Sequence, residues 1–119
     1  LKSAFIAEMV GTAFLAFLVG TVTSDRNPSK PSPAQAAVII GLGVAAIISV
    51  VAPLTQAALN PARDFGPRLV SYFLGWGEIA IPGPRGGWFV VYILAPIMGA
   101  VVGAGLFRIL ASFYERVKN

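Results

Sequence analysis

Few side chains in this chain could do chemistry, and most of them sit in one run. Between Pro53 and Arg68 the sequence reads PLTQAALNPARDFGPR, which gathers Asn60, Arg63, Asp64 and Arg68. The other costly side chain is Glu8, alone in an apolar stretch. The chain has no His and no Cys. That removes the commonest metal ligand and general base, every thiolate site and every disulfide. Only Ser49, Ser71 and scattered carboxylates remain as material for a nucleophile and its base. The chain is therefore not expected to be an enzyme, and no cofactor or metal is expected. The remaining chemistry is non-covalent: fixed donors, acceptors and one positive charge around something small that passes.

Asn60 followed by Pro61 reads as a helix start, an Asn N-cap with Pro at the first helical position and Ala62 next. The first turn of a helix has unpaired N–H groups and the positive end of the dipole. Placed in a pore, that end would repel cations, hydrated protons included. If the Asn60 carbonyl caps the helix, its amide N–H groups are free to meet a hydroxyl or a water. Residues 55–59 read as extended backbone, with the carbonyls of Gln56, Ala57 and Ala58 as an acceptor ladder on the same wall. A small polar solute needs both kinds of partner in a low-dielectric hole, because an unpaired hydroxyl there costs several kcal/mol. Arg63, one turn into the helix, adds a permanently charged fork of five donors. The alternative for Arg63 is an arginine that snorkels to headgroups. Glu8 reads as a structural acid that accepts hydrogen bonds from the backbone of the re-entrant segment, with a proton relay as the alternative.

These residues must be positioned by apolar elements. The chain is 56% hydrophobic and 12% charged, with a mean hydropathy of +0.78. Soluble domains average about 25% charged residues. Half that charge argues for a bilayer as solvent. Stretches over 3–23, 34–52 and 87–113 are each long enough to cross a hydrocarbon core of ~30 Å. Residues 24–33, with three prolines, read as a loop. Residues 53–86 are too long and too apolar for a plain connection. With Arg63, Asp64 and Arg68 they cannot face lipid as a fourth span. They read as a re-entrant loop and half-helix over about 53–75, distorted at Pro67 and stopping near Gly75. Trp88 and Tyr92 suit the headgroup interface, and Pro96 a kink. Gly99 and Gly103 form a Gly-x-x-x-Gly pair suited to close helix packing. The net charge of +4 is scattered, so no nucleic-acid partner is expected. Arg26, Lys30, Arg108, Arg116 and Lys118 put the 24–33 loop and the C-terminus on the cytoplasmic side by the positive-inside rule.

The run Asn60-Pro61-Ala62-Arg63-Asp64 between two spans resembles the major intrinsic proteins, the aquaporins and aquaglyceroporins. AEMVGTAFL in the first span, PLTQAALNPARDFGPR, the following GWG and AP-I-GAVVGA in the last span look like the C-terminal half of bacterial glycerol facilitators. The resemblance implies an all-α membrane protein. Its three transmembrane helices and one re-entrant half-helix would form the second repeat of an aquaporin-like six-helix fold, with residues 1–119 as a single membrane domain. Such channels pair two inverted repeats whose half-helices meet at mid-membrane. A partner N-terminal half with its own Asn-Pro-Ala is therefore implied, and a homotetramer of complete channels in the plasma or inner membrane. By the family's motif Asp64 marks the glycerol-conducting branch, and Glu8 matches the glutamate that supports the second loop. The filter positions fall on Arg63, Ala57 and Ile48. Glycerol facilitators typically have phenylalanine and glycine where Ala57 and Ile48 stand. Ala57 opens space beside Arg63 and Ile48 takes some away, a combination similar to a plant metalloid-conducting branch. The implied function is passive conduction of glycerol, other small uncharged solutes and water, with ions and protons excluded. A water-selective or a metalloid- or urea-conducting pore, and a non-conducting half-channel subunit, are the alternatives.

Overall fold

The structure is a computed structural model, and it describes residues 1–118. Among the described residues there is no strand. Helix α1 spans Lys2–Thr23, α2 Pro33–Thr55, α3 Pro61–Ser71 and α4 Ala95–Lys118. Three helical stretches are long and apolar enough to cross a membrane: Lys2–Thr23, Pro33–Thr55 and Phe89–Lys118. The fourth, α3, is 11 residues long. At 1.5 Å per residue that is about 16 Å, half a hydrocarbon core.

The long helices are sticky on the outside. Leu42 is 67%, Val50 74% and Val101 68% exposed. A monomer in water rarely shows apolar surface on this scale; lipid or another apolar segment is the natural cover. The small core lies where α1, α2 and the chain leading into α3 meet. Ile47, Val51, Ala57 and Leu59 are buried there, with Ala7, Leu15, Ile48 and Ala52 packed around them. Helix α1 packs chiefly along α4 and secondly along α2. Close approach to α4 comes from Gly99 and Gly103, which lie against the α1 backbone at Met9 and Ala13. Further along, Phe107 fits over Gly20 and meets Phe17 edge-on, with ring centroids 6.4 Å apart.

Several boundaries differ from the sequence reading. Helix α2 continues past Pro53 to Thr55. In the last turn the proline forfeits only one intrahelical bond, and the Gln56 N–H closes the helix on the Ala52 carbonyl at 2.8 Å. The same helix begins at Pro33 behind a capping box: the Ser32 hydroxyl accepts from the Gln35 N–H, and the Gln35 side chain from the Ser32 N–H. Helix α4 runs to Lys118, with no proline after Pro96 and no glycine after Gly105 to end it sooner. Where a kink is expected at Pro96, the structure has a broader π-helical stretch, Phe89–Leu94, just ahead of it. A proline cannot donate to the carbonyl four residues back and its ring crowds it; an extra residue per turn relieves both. Helix α3 passes Pro67 and ends at Ser71, followed by a wide turn Tyr72–Trp76 in which Gly75 takes φ 101°. In the loop before α2, the Asn27 amide donates to the Thr21 carbonyl at 2.8 Å. The Lys30 ammonium, 2.6 Å from Asp25, holds that carboxyl below its ordinary range.

Candidate functional site

Asn60 caps α3. Its backbone is extended (φ −151°, ψ 119°), and its side-chain oxygen accepts from the N–H groups of Ala62 at 2.9 Å and Arg63 at 3.3 Å. That leaves the two amide N–H donors of Asn60 without a protein partner among the described residues. Pro61 occupies the first helical position, where a missing N–H costs nothing. The positive end of α3 and the free amide therefore sit together at an exposed Asn60.

The chain before the cap is not extended, and this corrects the sequence reading. Gln56, Ala57 and Leu59 take φ of 65°, 52° and 58°. Helix α2 already reaches Thr55, so the chain must reverse within the few residues before Asn60, and left-handed turns accomplish that. A non-glycine residue held in a sparsely populated backbone region costs of order 1–3 kcal/mol, so the surroundings must impose this path. They come mostly from α1. The Glu8 carboxylate, fully buried, accepts from Ala58 N at 2.9 Å and Leu59 N at 2.6 Å. The Thr12 hydroxyl donates to the Leu59 carbonyl at 3.2 Å. Gly11 leaves room for the Leu59 side chain: a Cβ there would lie 2.8 Å from Leu59 Cδ2. The Thr55 hydroxyl accepts from Ala57 N at 3.1 Å.

Arg63 closes the segment from the other side. Its Nη1 donates to the carbonyls of Ala57 at 2.6 Å and Ala58 at 2.9 Å. Two of the three carbonyls read as a ladder, those of Ala57 and Ala58, are thus engaged by Arg63 rather than standing free along a strand. The remaining guanidinium donors have no protein partner among the described residues. Ala57 has no exposed surface and belongs to the buried cluster; Ile48 packs half-buried against the same cluster. The space expected beside Arg63 at position 57 is closed by that packing. A cavity of about 550 Å³ adjoins the site instead, with Thr55, Gln56, Ala58, Arg63, Arg68 and Trp76 among its walls.

Asp64 and Arg68 form a group the sequence reading left unconnected. Asp64 takes Arg68 in a two-pronged pair, Oδ1 to Nη2 and Oδ2 to Nε, both 2.7 Å. Such planar pairs are the stronger kind of ion pair. The Trp88 indole N–H also donates to Asp64 Oδ2, at 3.1 Å, and the Trp88 ring stacks on Phe65 at 5.6 Å. Arg68 Nη1 donates to the Ala80 carbonyl at 2.9 Å, and its guanidinium lies over the Tyr92 ring, 5.0 Å from the centroid. The Tyr92 hydroxyl donates to the Thr55 carbonyl at 3.2 Å. Trp88 and Tyr92 thus direct their polar atoms to partners inside the protein. The i,i+4 spacing of Asp64 and Arg68 is the signal that was available.

A family model described as Major intrinsic protein matches residues 1–112. The glycerol uptake facilitator protein of Pseudomonas aeruginosa is 48% identical over 108 residues, 90% of this chain and 38% of that protein. That of Escherichia coli K12 is 44% identical over 106 residues, 88% of this chain and 37% of that protein. The propanediol uptake facilitator of Citrobacter freundii is 43% identical over 108 residues, 90% of this chain and 40% of that protein. The chain thus spans well under half the length of each of these relatives.

Proposed function

The chain belongs to the major intrinsic protein family, and we propose that it forms half of a passive membrane channel for glycerol and similar small uncharged solutes. The observation that carries this reading is the capped half-helix. Asn60 presents free amide donors at the positive end of α3, with the Arg63 guanidinium one turn further on, beside an open cavity. A neutral hydroxyl is welcomed by those donors, and a cation meets both a helix dipole and a fixed positive charge. Relatives named for glycerol and propanediol uptake support the solute class. In this reading Asn60, Pro61 and Ala62 are the mid-pore motif and Arg63 the filter arginine. Ile48 and Ala57 shape the filter from beneath, as packing. Asp64 acts through Arg68 and Trp88, fixing the wall rather than touching solute. Residues 1–119 form one membrane domain that pairs with an N-terminal half. The complete channels assemble as homotetramers in the plasma or inner membrane, with the 24–33 loop and the C-terminus cytoplasmic.

The test is stopped-flow light scattering on proteoliposomes holding the full-length channel, with a glycerol gradient and a sorbitol control. Glycerol re-swelling faster than empty vesicles, without ion conductance, supports the reading; no glycerol entry with folded protein overturns it. Arg63→Val in the same vesicles is expected to raise proton or cation leak. A unit charge at ~6 Å and an effective dielectric of ~20 contributes about 3 kcal/mol. Half of that already means roughly tenfold more leak. Arg63→Lys keeps the charge and is expected to keep the ions out, so equal leak in the two variants would show that the charge is not what excludes them.

A further inference from the structure

We propose that the side-chain amide of Gln56 is a solute-binding group of this channel, selecting solutes with hydroxyls on adjacent carbons; the proposal rests on the channel reading above. Gln56 is exposed and forms part of the wall of the 550 Å³ cavity beside Arg63. Apart from the indole N–H of Trp76 and the spare donors of Arg63, the other polar side chains of that wall are already committed among the described residues. Asp64 is held by Arg68 and Trp88, and Arg68 by Asp64 and the Ala80 carbonyl. The Ser71 hydroxyl donates to the Pro67 carbonyl at 2.9 Å. The Thr55 hydroxyl accepts from Ala57 N and donates to the Val51 carbonyl. Arg63 has donors to spare and no acceptor. The Gln56 amide makes no protein hydrogen bond among the described residues, so both its donor and its acceptor are free. A glutamine facing hydrocarbon would leave those groups unpaired at a cost of several kcal/mol; facing a wet cavity they are available to a solute.

The pairing sets the solute chemistry. A hydroxyl is both donor and acceptor. One hydroxyl oxygen accepts from the free Arg63 N–H groups, and the neighbouring O–H donates to the Gln56 side-chain oxygen. The carbon chain then lies against Trp76 and Ile79, which are exposed in the same wall. A diol or triol brings two hydroxyls and a carbon chain to these groups where a water brings a single oxygen, so the pair and the apolar wall beside it favour a diol or triol over water.

The backbone supplies a clean variant. Gln56 is in the left-handed region (φ 65°, ψ 9°), which glycine adopts without penalty. Gln56→Gly therefore removes the amide and leaves the turn in its preferred conformation. In proteoliposomes of the full-length channel, the glycerol-to-water permeability ratio of Gln56→Gly is expected to fall about three- to tenfold, the equivalent of one lost hydrogen bond. The concentration of glycerol that half-saturates flux should rise with it. Gln56→Asn, which keeps an amide and tolerates the same backbone, is expected to restore part of the ratio. 1,2-Propanediol should follow glycerol. The proposal is overturned if the ratio is unchanged in Gln56→Gly, if Asn behaves as Gly does, or if the urea-to-water ratio falls further than that for glycerol. A wild-type channel that admits no glycerol overturns the channel reading itself, a result separate from these.

Discussion

Glu8→Leu in the full-length channel is expected to lower stability by about 3–6 kcal/mol, twice the ~1.5–3 kcal/mol of a hydrogen bond to a charged group, and to abolish glycerol flux. The carboxylate is fully buried, and each of its oxygens takes one backbone N–H, from Ala58 and from Leu59. Leucine fills the volume but accepts nothing, so two buried donors lose their partners. The loss falls on the segment that already pays for three left-handed non-glycine residues. Once that segment relaxes, Asn60 and the start of α3 lose the frame that aims them. Glu8→Gln keeps one acceptor oxygen and replaces the other by an N–H that opposes a backbone donor; roughly half the loss is expected. Unfolding midpoints in a denaturing-detergent titration, read beside glycerol flux, give the order wild type, Gln, Leu. A Glu8→Leu channel that unfolds with the wild type would mean that the two short bonds do not hold the loop.

The division between what the sequence discloses and what it hides follows the range of the forces. The three spans are legible because lipid selects on composition over some twenty residues, and nothing local can disguise that signal. The start of α3 is legible because an N-cap is local chemistry: Asn60 and Pro61 act on N–H groups within three residues of themselves. Glu8 is legible as a cost, since a lone acid in an apolar span must face something polar. The path of residues 56–59 is hidden. Left-handed turns are announced by glycine, whereas here stand Gln56, Ala57 and Leu59, and what bends them is Glu8, Gly11 and Thr12 on another helix. The closed space at Ala57 is hidden for the same reason, because motif alignment places a position but not its neighbours. Trp88 and Tyr92 are ambiguous rather than hidden. An aromatic with a polar tip suits a headgroup layer as well as it suits Asp64 or the Thr55 carbonyl, and only the fold decides.

The close contact of α1 with α4 leads to the second large expectation: Gly103→Ala destabilises the channel by about 2–3 kcal/mol, toward the upper end of the cost of overpacking. A Cβ at Gly103 would fall on the carbonyl oxygen of Ala13 and lie 2.7 Å from its carbonyl carbon and 2.9 Å from its Cα. All three are backbone atoms of a helix, so no side-chain rotation can make room; the helix axes must separate. Separation would propagate, because the face of α1 next to this contact holds Glu8, Gly11 and Thr12, which shape the approach to Asn60. Gly99→Ala meets Met9 and Ala13 backbone in the same way, with 3.0 Å to the Met9 carbonyl carbon and 3.1 Å to Ala13 N, and should behave alike. Gly105, two residues beyond Gly103, has nothing within 4 Å of an added Cβ. Gly105→Ala therefore carries the same gain in helix propensity, about 1 kcal/mol at most, without the collision, and is expected to be neutral or stabilising. Unfolding midpoints of the three variants separate packing from propensity: if Gly103→Ala and Gly105→Ala shift together, the helices are not held at backbone contact, and the frame behind the capped half-helix must be sought elsewhere.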